Sequence, residues 1–253
     1  MRRGWCNMVV LVVGAGRKGN IGYAIAKKFQ DEGHTVVAVD IDFNHEEFHR
    51  HYCDVTSEKE VALQMDIIKG EFGTLDAVIN SAGVNILGKI EDYTLDNFNK
   101  TIATNLTSNY LLLQAFVRAF DNNGKRKVFL AITSDTGMIP KTSTFAYGAS
   151  KAGANHFIRC AARELNKYHT DDWVVTALAI GRVLTPMDRK TIEDLVAQRG
   201  VTEEEAERML NANIPVGRGM TPEEVAEWAY FVTTKGDYAT GNILRIDAGQ
   251  VQG

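Results

Sequence analysis

Apolar runs of strand length recur along the chain: Val9 to Val13, Thr35 to Asp40, Leu75 to Asn80, Lys127 to Thr133, Val174 to Ile180 and Ile243 to Asp247. Runs so short, with so few polar interruptions, predict strands buried on both faces. Between them, apolar positions at helical spacing predict helices at Ile21 to Glu32, Glu58 to Phe72, Thr101 to Phe120, Phe145 to Tyr168 and Pro222 to Lys235. Asp54-Val55 is expected to end one further strand. Strand and helix alternate almost throughout, which predicts an α/β fold with a doubly wound parallel sheet flanked by helices. Two helix starts are marked by capping boxes, Thr202 before Glu205 and Thr221 before Glu224, the second with Pro222 in its first turn. The stretch from Met187 to Asn213 is charged, weakly amphipathic and broken at Gly200, so it predicts two short helices added to the scaffold as a movable cover over substrate.

Composition narrows the class. A length of 253 residues suits one continuous core, so residues 1–253 are expected to form a single domain. A hydrophobic share of 45% with 24% charged residues is that of a soluble globular protein. The net charge of -4, without a basic run, argues against nucleic acid or an anionic membrane as partner. The start, Met1-Arg2-Arg3 and then Met8 to Val13, superficially imitates a signal peptide, but it leads into a glycine-rich turn and is read as a first strand. Cys6, Cys53 and Cys160 are odd in number and widely spaced, which fits neither a disulfide framework nor a zinc site and suits a reducing cytoplasm. The segment His45-Glu46-Glu47-Phe48-His49-Arg50-His51 offers imidazole and carboxylate, yet its place between the second and third strands reads as a solvated connection, and no metal is expected.

The first strand runs into Gly14-Ala15-Gly16-Arg17-Lys18-Gly19-Asn20-Ile21-Gly22. Glycines there let backbone approach a pyrophosphate, and the following helix N-terminus offers free N–H groups, so this is a Rossmann-type dinucleotide site. Gly14, Gly16, Gly19, Asn20 and Ile21 are its candidates. Asp40 ends the second strand about 20 residues after the turn, where a carboxylate accepts from adenosine ribose hydroxyls and repels a 2′-phosphate. NAD is therefore expected over NADP, with Arg17 and Lys18 offsetting part of the repulsion and Asp42 an alternative to Asp40. Asp54, Val55 and the turn Asn80-Ser81-Ala82-Gly83 add polar and small residues at the same sheet edge; Asn80, Ala82 and Gly83 join the candidate set.

Tyr147 and Lys151 stand four apart on one helix face. An ammonium held close favours a phenolate, which makes Tyr147 a candidate acid/base, and Ser134 at a strand end is placed to bond a substrate oxygen. With these residues in view, the chain resembles the short-chain dehydrogenases/reductases over essentially its whole length. Tyr147-Gly148-Ala149-Ser150-Lys151 is similar to the family's YxxxK signature, Ser134 stands thirteen residues before the tyrosine, Asn80 to Gly83 is similar to the NNAG turn, and Asn105 matches the helix asparagine. The resemblance implies Tyr147 as acid/base, Lys151 lowering its pKa and binding the nicotinamide ribose, Ser134 orienting the carbonyl, and Asn105 holding a relay water. Gly181-Arg182-Val183-Leu184-Thr185 resembles the segment near the nicotinamide amide, adding Gly181, Val183 and Thr185.

Two departures stand out: Val13 replaces the usual threonine before a turn two residues longer than the family's, and Ile180 replaces a proline before Gly181, which is expected to loosen that turn. The resemblance implies hydride transfer between a nicotinamide and a secondary alcohol or ketone, in a homodimer or homotetramer. The alternatives are a non-catalytic dinucleotide sensor, and an epimerase or dehydratase using bound NAD.

Overall fold

In a computed structural model, the structure describes residues 7–121, 125–169 and 172–250. Cys6 and the Met1-Arg2-Arg3 start lie outside the described residues. Seven strands form one sheet: β1 (Val9–Val13), β2 (Thr35–Asp40), β3 (His49–Tyr52), β4 (Ala77–Asn80), β5 (Lys127–Ser134), β6 (Trp173–Ile180) and β7 (Ile243–Ile246). Their order is β3-β2-β1-β4-β5-β6-β7 and every pairing is parallel. Alternate residues of β1 face opposite sides: Val9, Leu11 and Val13 join one buried cluster with Phe116 and Trp173, while Val10 and Val12 join a second with Ile25 and Phe29. A sheet apolar on both faces must be covered on both, and the helices do this. α1 (Ile21–Asp31) and α8 (Pro222–Lys235) cover one face; α2 (Glu58–Phe72), α4 (Ser108–Phe120) and α5 (Phe145–Tyr168) cover the other. The result is a single α/β domain of the doubly wound kind.

Three expectations change. The helix predicted from Thr101 begins earlier, as α3 (Leu95–Ile102), and passes through one π-helical turn at Ala103–Thr107 before α4. The segment after β2 is not simply a solvated connection. His45 is buried among Tyr23, Phe43 and Phe48, and His49–Tyr52 pairs with β2 as an edge strand. Asp54 and Val55 therefore lie beyond that strand, in the turn into α2, where the Asp54 carboxylate accepts from the Thr56 N–H at 2.9 Å.

Met187 to Asn213 does form two helices, α6 (Pro186–Arg199) and α7 (Glu203–Asn211), separated at Gly200 in the left-handed conformation. Both predicted capping boxes are present, at Thr202 and Thr221. Arg182 ties both helices to the end of β6, and Arg189 of α6 also pairs with Glu203 of α7 at 3.0 Å. Arg182 donates twice to Asp188 at the start of α6, both at 2.8 Å, and to Asn211 Oδ1 at the end of α7 at 2.6 Å. The side chains of Arg182 and Asp188 are only 9% and 11% exposed. Removing one partner of such a pair strands a poorly solvated charge, at a cost of about 3 kcal/mol. Asp188→Ala is accordingly expected to lower stability in urea by that amount and to speed tryptic cleavage at Arg199; unchanged cleavage would show that α6 and α7 are held by other contacts.

Candidate functional site

Two clefts meet at the carboxyl edge of the sheet. The first, of about 660 Å³, is lined by Gly14, Asn20, Asp40, Asp54, Val55, Ala82 and Gly83 from the predicted set. Arg17, Asp42, Lys100 and Thr104 line it as well, and of these sequence reasoning had placed only the first two near it. At the N-terminus of α1, Asn20 makes no side-chain cap hydrogen bond, whereas Ser57, Thr94 and Thr185 cap α2, α3 and α6. The first N–H groups of α1 are thus left for an anion.

The lengthened glycine turn is secured by the loop after β2. The Gly16 N–H donates to Asp40 Oδ2 at 2.9 Å, Asn44 N–H to the Gly16 carbonyl at 2.9 Å, and Lys18 N–H to Asn44 Oδ1 at 3.0 Å. A Cβ on Gly16 would lie 1.9 Å from the Asp42 carbonyl oxygen, so only glycine permits this contact. His45 Nε2 bonds the Ala15 carbonyl at 2.9 Å beneath the turn. Arg17 and Lys18 are both engaged, by Asp42 and Glu47 at 2.8 Å each. Gly16 and Gly19 are thus part of the turn's framework and do not line either cleft, and Gly19 has φ of +84°.

The second cavity, of about 1160 Å³, lies between the β5 and β6 ends and the cover helices. Ile21, Ser134, Tyr147, Gly181, Val183 and Thr185 line it. Asn85, Lys141, Met187 and Asn213 complete a mixed polar and apolar wall. After Ile180, the Gly181 N–H donates to the Ile246 carbonyl at 3.0 Å, extending the β6–β7 ladder.

Between the clefts stand Ser134, Tyr147, Lys151 and Asn105. The turn after β5 lies so close to α5 that a Cβ on Gly137 would be 2.7 Å from the Lys151 carbonyl carbon, and this approach carries Ser134 to Tyr147. Ser134 and Tyr147 line the same cavity, and Lys151 Nζ is 5.6 Å from the tyrosine ring centre. Lys151 Nζ donates to the Ile132 carbonyl at 3.0 Å. Burial dominates both charges: the phenol is pushed up to about 12, with Asp135 adding to the rise and Ser134 opposing it, and the ammonium is pushed down to about 8.

Asn105 sits in the π turn, buried, with its side chain bonding the Val84 N–H at 2.8 Å, the Val84 carbonyl at 2.9 Å and Ser150 Oγ at 3.0 Å. It joins the NNAG-like turn to α5. Asn80 is an interior strut too, donating to Ser108 and Asn109 and accepting from the Ala82 N–H at 3.1 Å, so it shapes the first cleft without lining it. Among the described residues no three His, Cys, Asp or Glu side chains are grouped to hold a metal, and no helix is long and apolar enough to cross a membrane.

Comparison with known proteins agrees with this geometry. A family model described as enoyl-(acyl carrier protein) reductase matches residues 14–250. A D-beta-hydroxybutyrate dehydrogenase of Rhizobium meliloti is 31% identical over 204 residues, covering 79% of this chain and 76% of its own. An NAD-dependent glycerol dehydrogenase of Listeria innocua is 31% identical, with 95% and 92% covered. A solved actinorhodin polyketide ketoreductase with NADPH superposes at a TM-score of 0.86 with 26% identity, covering 96% of this chain and 97% of that one. The chain belongs to the short-chain dehydrogenase/reductase family.

Proposed function

We propose that the protein is an oxidoreductase that moves a hydride between NAD and a secondary alcohol or its ketone, with Tyr147 exchanging the hydroxyl proton. The observation that carries this reading is the placement of Ser134, Tyr147 and Lys151 between a glycine-edged cleft and a larger mixed cavity. The first cleft suits a dinucleotide: an uncapped helix start for the phosphates, small residues for backbone approach, and the Asp40 carboxylate for ribose hydroxyls. When bound, the nicotinamide supplies or accepts the hydride.

The chain's own residues do the rest. Ser134 bonds the reacting oxygen, Tyr147 gives or takes its proton, and Lys151 favours the phenolate by its charge. Asn105 keeps the turn at Val84 and the Ser150 end of α5 in register beside them; the relay water expected from the resemblance belongs to the same reading. The Asp40 carboxylate in the first cleft would repel a 2′-phosphate, which supports NAD over NADP. Polar lining from Asn85, Lys141 and Thr144 beside Met187 and Ile214 favours a small polar alcohol as substrate. The reading includes a homodimer or homotetramer in a reducing cytoplasm, where the free thiols Cys53 and Cys160 stay reduced.

Fluorescence titration is expected to show NADH binding more tightly than NADPH, with Asp40→Ala weakening NADH by about tenfold or more through loss of charged hydrogen bonds and narrowing the preference. Binding of neither dinucleotide would sink the reading. In a screen of small polyols, hydroxy acids and their ketones, Tyr147→Phe is expected to lower turnover by about 10²- to 10⁴-fold while leaving NADH affinity in place. NADH formed in step with ketone product, measured by absorbance and chromatography, distinguishes dehydrogenation from epimerisation or dehydration.

A further inference from the structure

The residue after Ser134 is an acid, and its position is unusual for one. Asp135 is 2% exposed, in a short turn between β5 and α5, at the wall of the larger cavity. Its Oδ1 accepts from the Ser134 hydroxyl at 3.1 Å and from the Thr136 hydroxyl at 3.3 Å. Its Oδ2 accepts from Lys141 Nζ at 2.7 Å. Lys141 lines the same cavity with a third of its side chain exposed. A carboxylate this enclosed is costly unless paired, and Lys141 is the cation that pairs with it.

A serine hydroxyl has one hydrogen to give. Here that hydrogen is directed at Asp135, and the Ser134 oxygen accepts from the Thr136 N–H at 3.1 Å. For Ser134 to stabilise a phenolate at Tyr147, or an oxyanion on substrate, its hydrogen must turn away from Asp135. The strength of Asp135 as an acceptor therefore governs how readily Ser134 can help, and Lys141, by sharing the same carboxylate, sets that strength.

We propose that Asp135, tethered by Lys141, is a positioning residue that orients the Ser134 hydroxyl and so controls proton exchange at Tyr147. The inference rests on Tyr147 being the proton-exchanging group. The charged groups facing Tyr147 come from three places. Lys151 is on its own helix, Asp135 and Lys141 follow β5, and Arg182 with Asp188 follows β6 and forms a closed pair. The π turn contributes the uncharged Asn105. Burial does most to keep Tyr147 protonated, and of the nearby acids Asp135 is the one whose charge adds to it.

The test needs no substrate. Tyr147 is replaced by a ring-fluorinated tyrosine, which titrates closer to neutrality, and its ¹⁹F resonance is followed against pH in the otherwise native chain and in Asp135→Asn, Lys141→Met, Lys141→Arg and the Asp135→Asn/Lys141→Met double variant. Circular dichroism checks that each is folded. Asp135→Asn is expected to lower the midpoint by about half a pH unit or more. Lys141→Met is expected to raise it, Lys141→Arg to restore it, and the double variant to match Asp135→Asn, because Lys141 acts through the carboxylate. A folded Asp135→Asn with an unmoved midpoint, or a Lys141→Met shift of equal size with and without the carboxylate, overturns the proposal. Should Asp135→Asn fail to fold, the Lys141→Met and Lys141→Arg pair decides: no shift that arginine reverses also overturns it. Loss of dinucleotide binding or of alcohol oxidation leaves this titration unaffected, so failure of the functional reading is seen separately.

Discussion

The reaction end of the molecule depends on one close backbone contact, between the turn after β5 and the helix α5. Ser134 belongs to a strand and Tyr147 and Lys151 to a helix, and neither element alone brings them together. They meet because Gly137 has no side chain to hold the turn away from Lys151 and Ala152. The β5–β6 ladder, eight residue pairs long, fixes where the strand ends and therefore where that turn begins. A shift of one residue in this register would send Ser134 to the opposite face of the sheet.

Burial sets the chemical character of what the contact assembles. The Tyr147 phenol is held protonated and the Lys151 ammonium is made easier to deprotonate, both chiefly because water is excluded. Each group by itself is thus pushed toward neutrality. Small changes in neighbouring charge carry far in such a low-dielectric space. That is why a single carboxylate at Asp135, and the cation beside it, matter more than their distance from any substrate atom would indicate.

Much of this was legible in the residues. Uninterrupted apolar runs announced six of the seven strands, because strands buried on both faces have no polar side to hide the signal. The Tyr147 and Lys151 spacing and the Thr202 and Thr221 boxes are local rules, and local rules survive folding. Less legible was β3, whose residues His49 to Tyr52 are polar and mostly exposed, since an edge strand needs a partner's backbone more than an apolar pattern. The π turn at Ala103–Thr107 leaves no mark in residue type, because it differs from α-helix only in which carbonyl each N–H finds. Asn80 was identified by motif, but its side chain points into the interior and braces the cleft from behind. Asp135 carried no signal at all: one acid in a loop looks like a solvated acid until the fold encloses it.

The anchoring of α6 and α7 to Arg182 bears on how such a protein diversifies. Both ends of the segment from Pro186 to Asn211 terminate on one guanidinium, which itself follows directly from β6. The segment is therefore a cassette: Met187, Thr191, Met209 and Leu210 near its two ends line the cavity and can change in sequence while the sheet and the proton-handling group stay as they are. A lineage that retains Asp188 and Asn211 can explore new substrates by rewriting the residues between them, without risking the scaffold on which the chemistry stands.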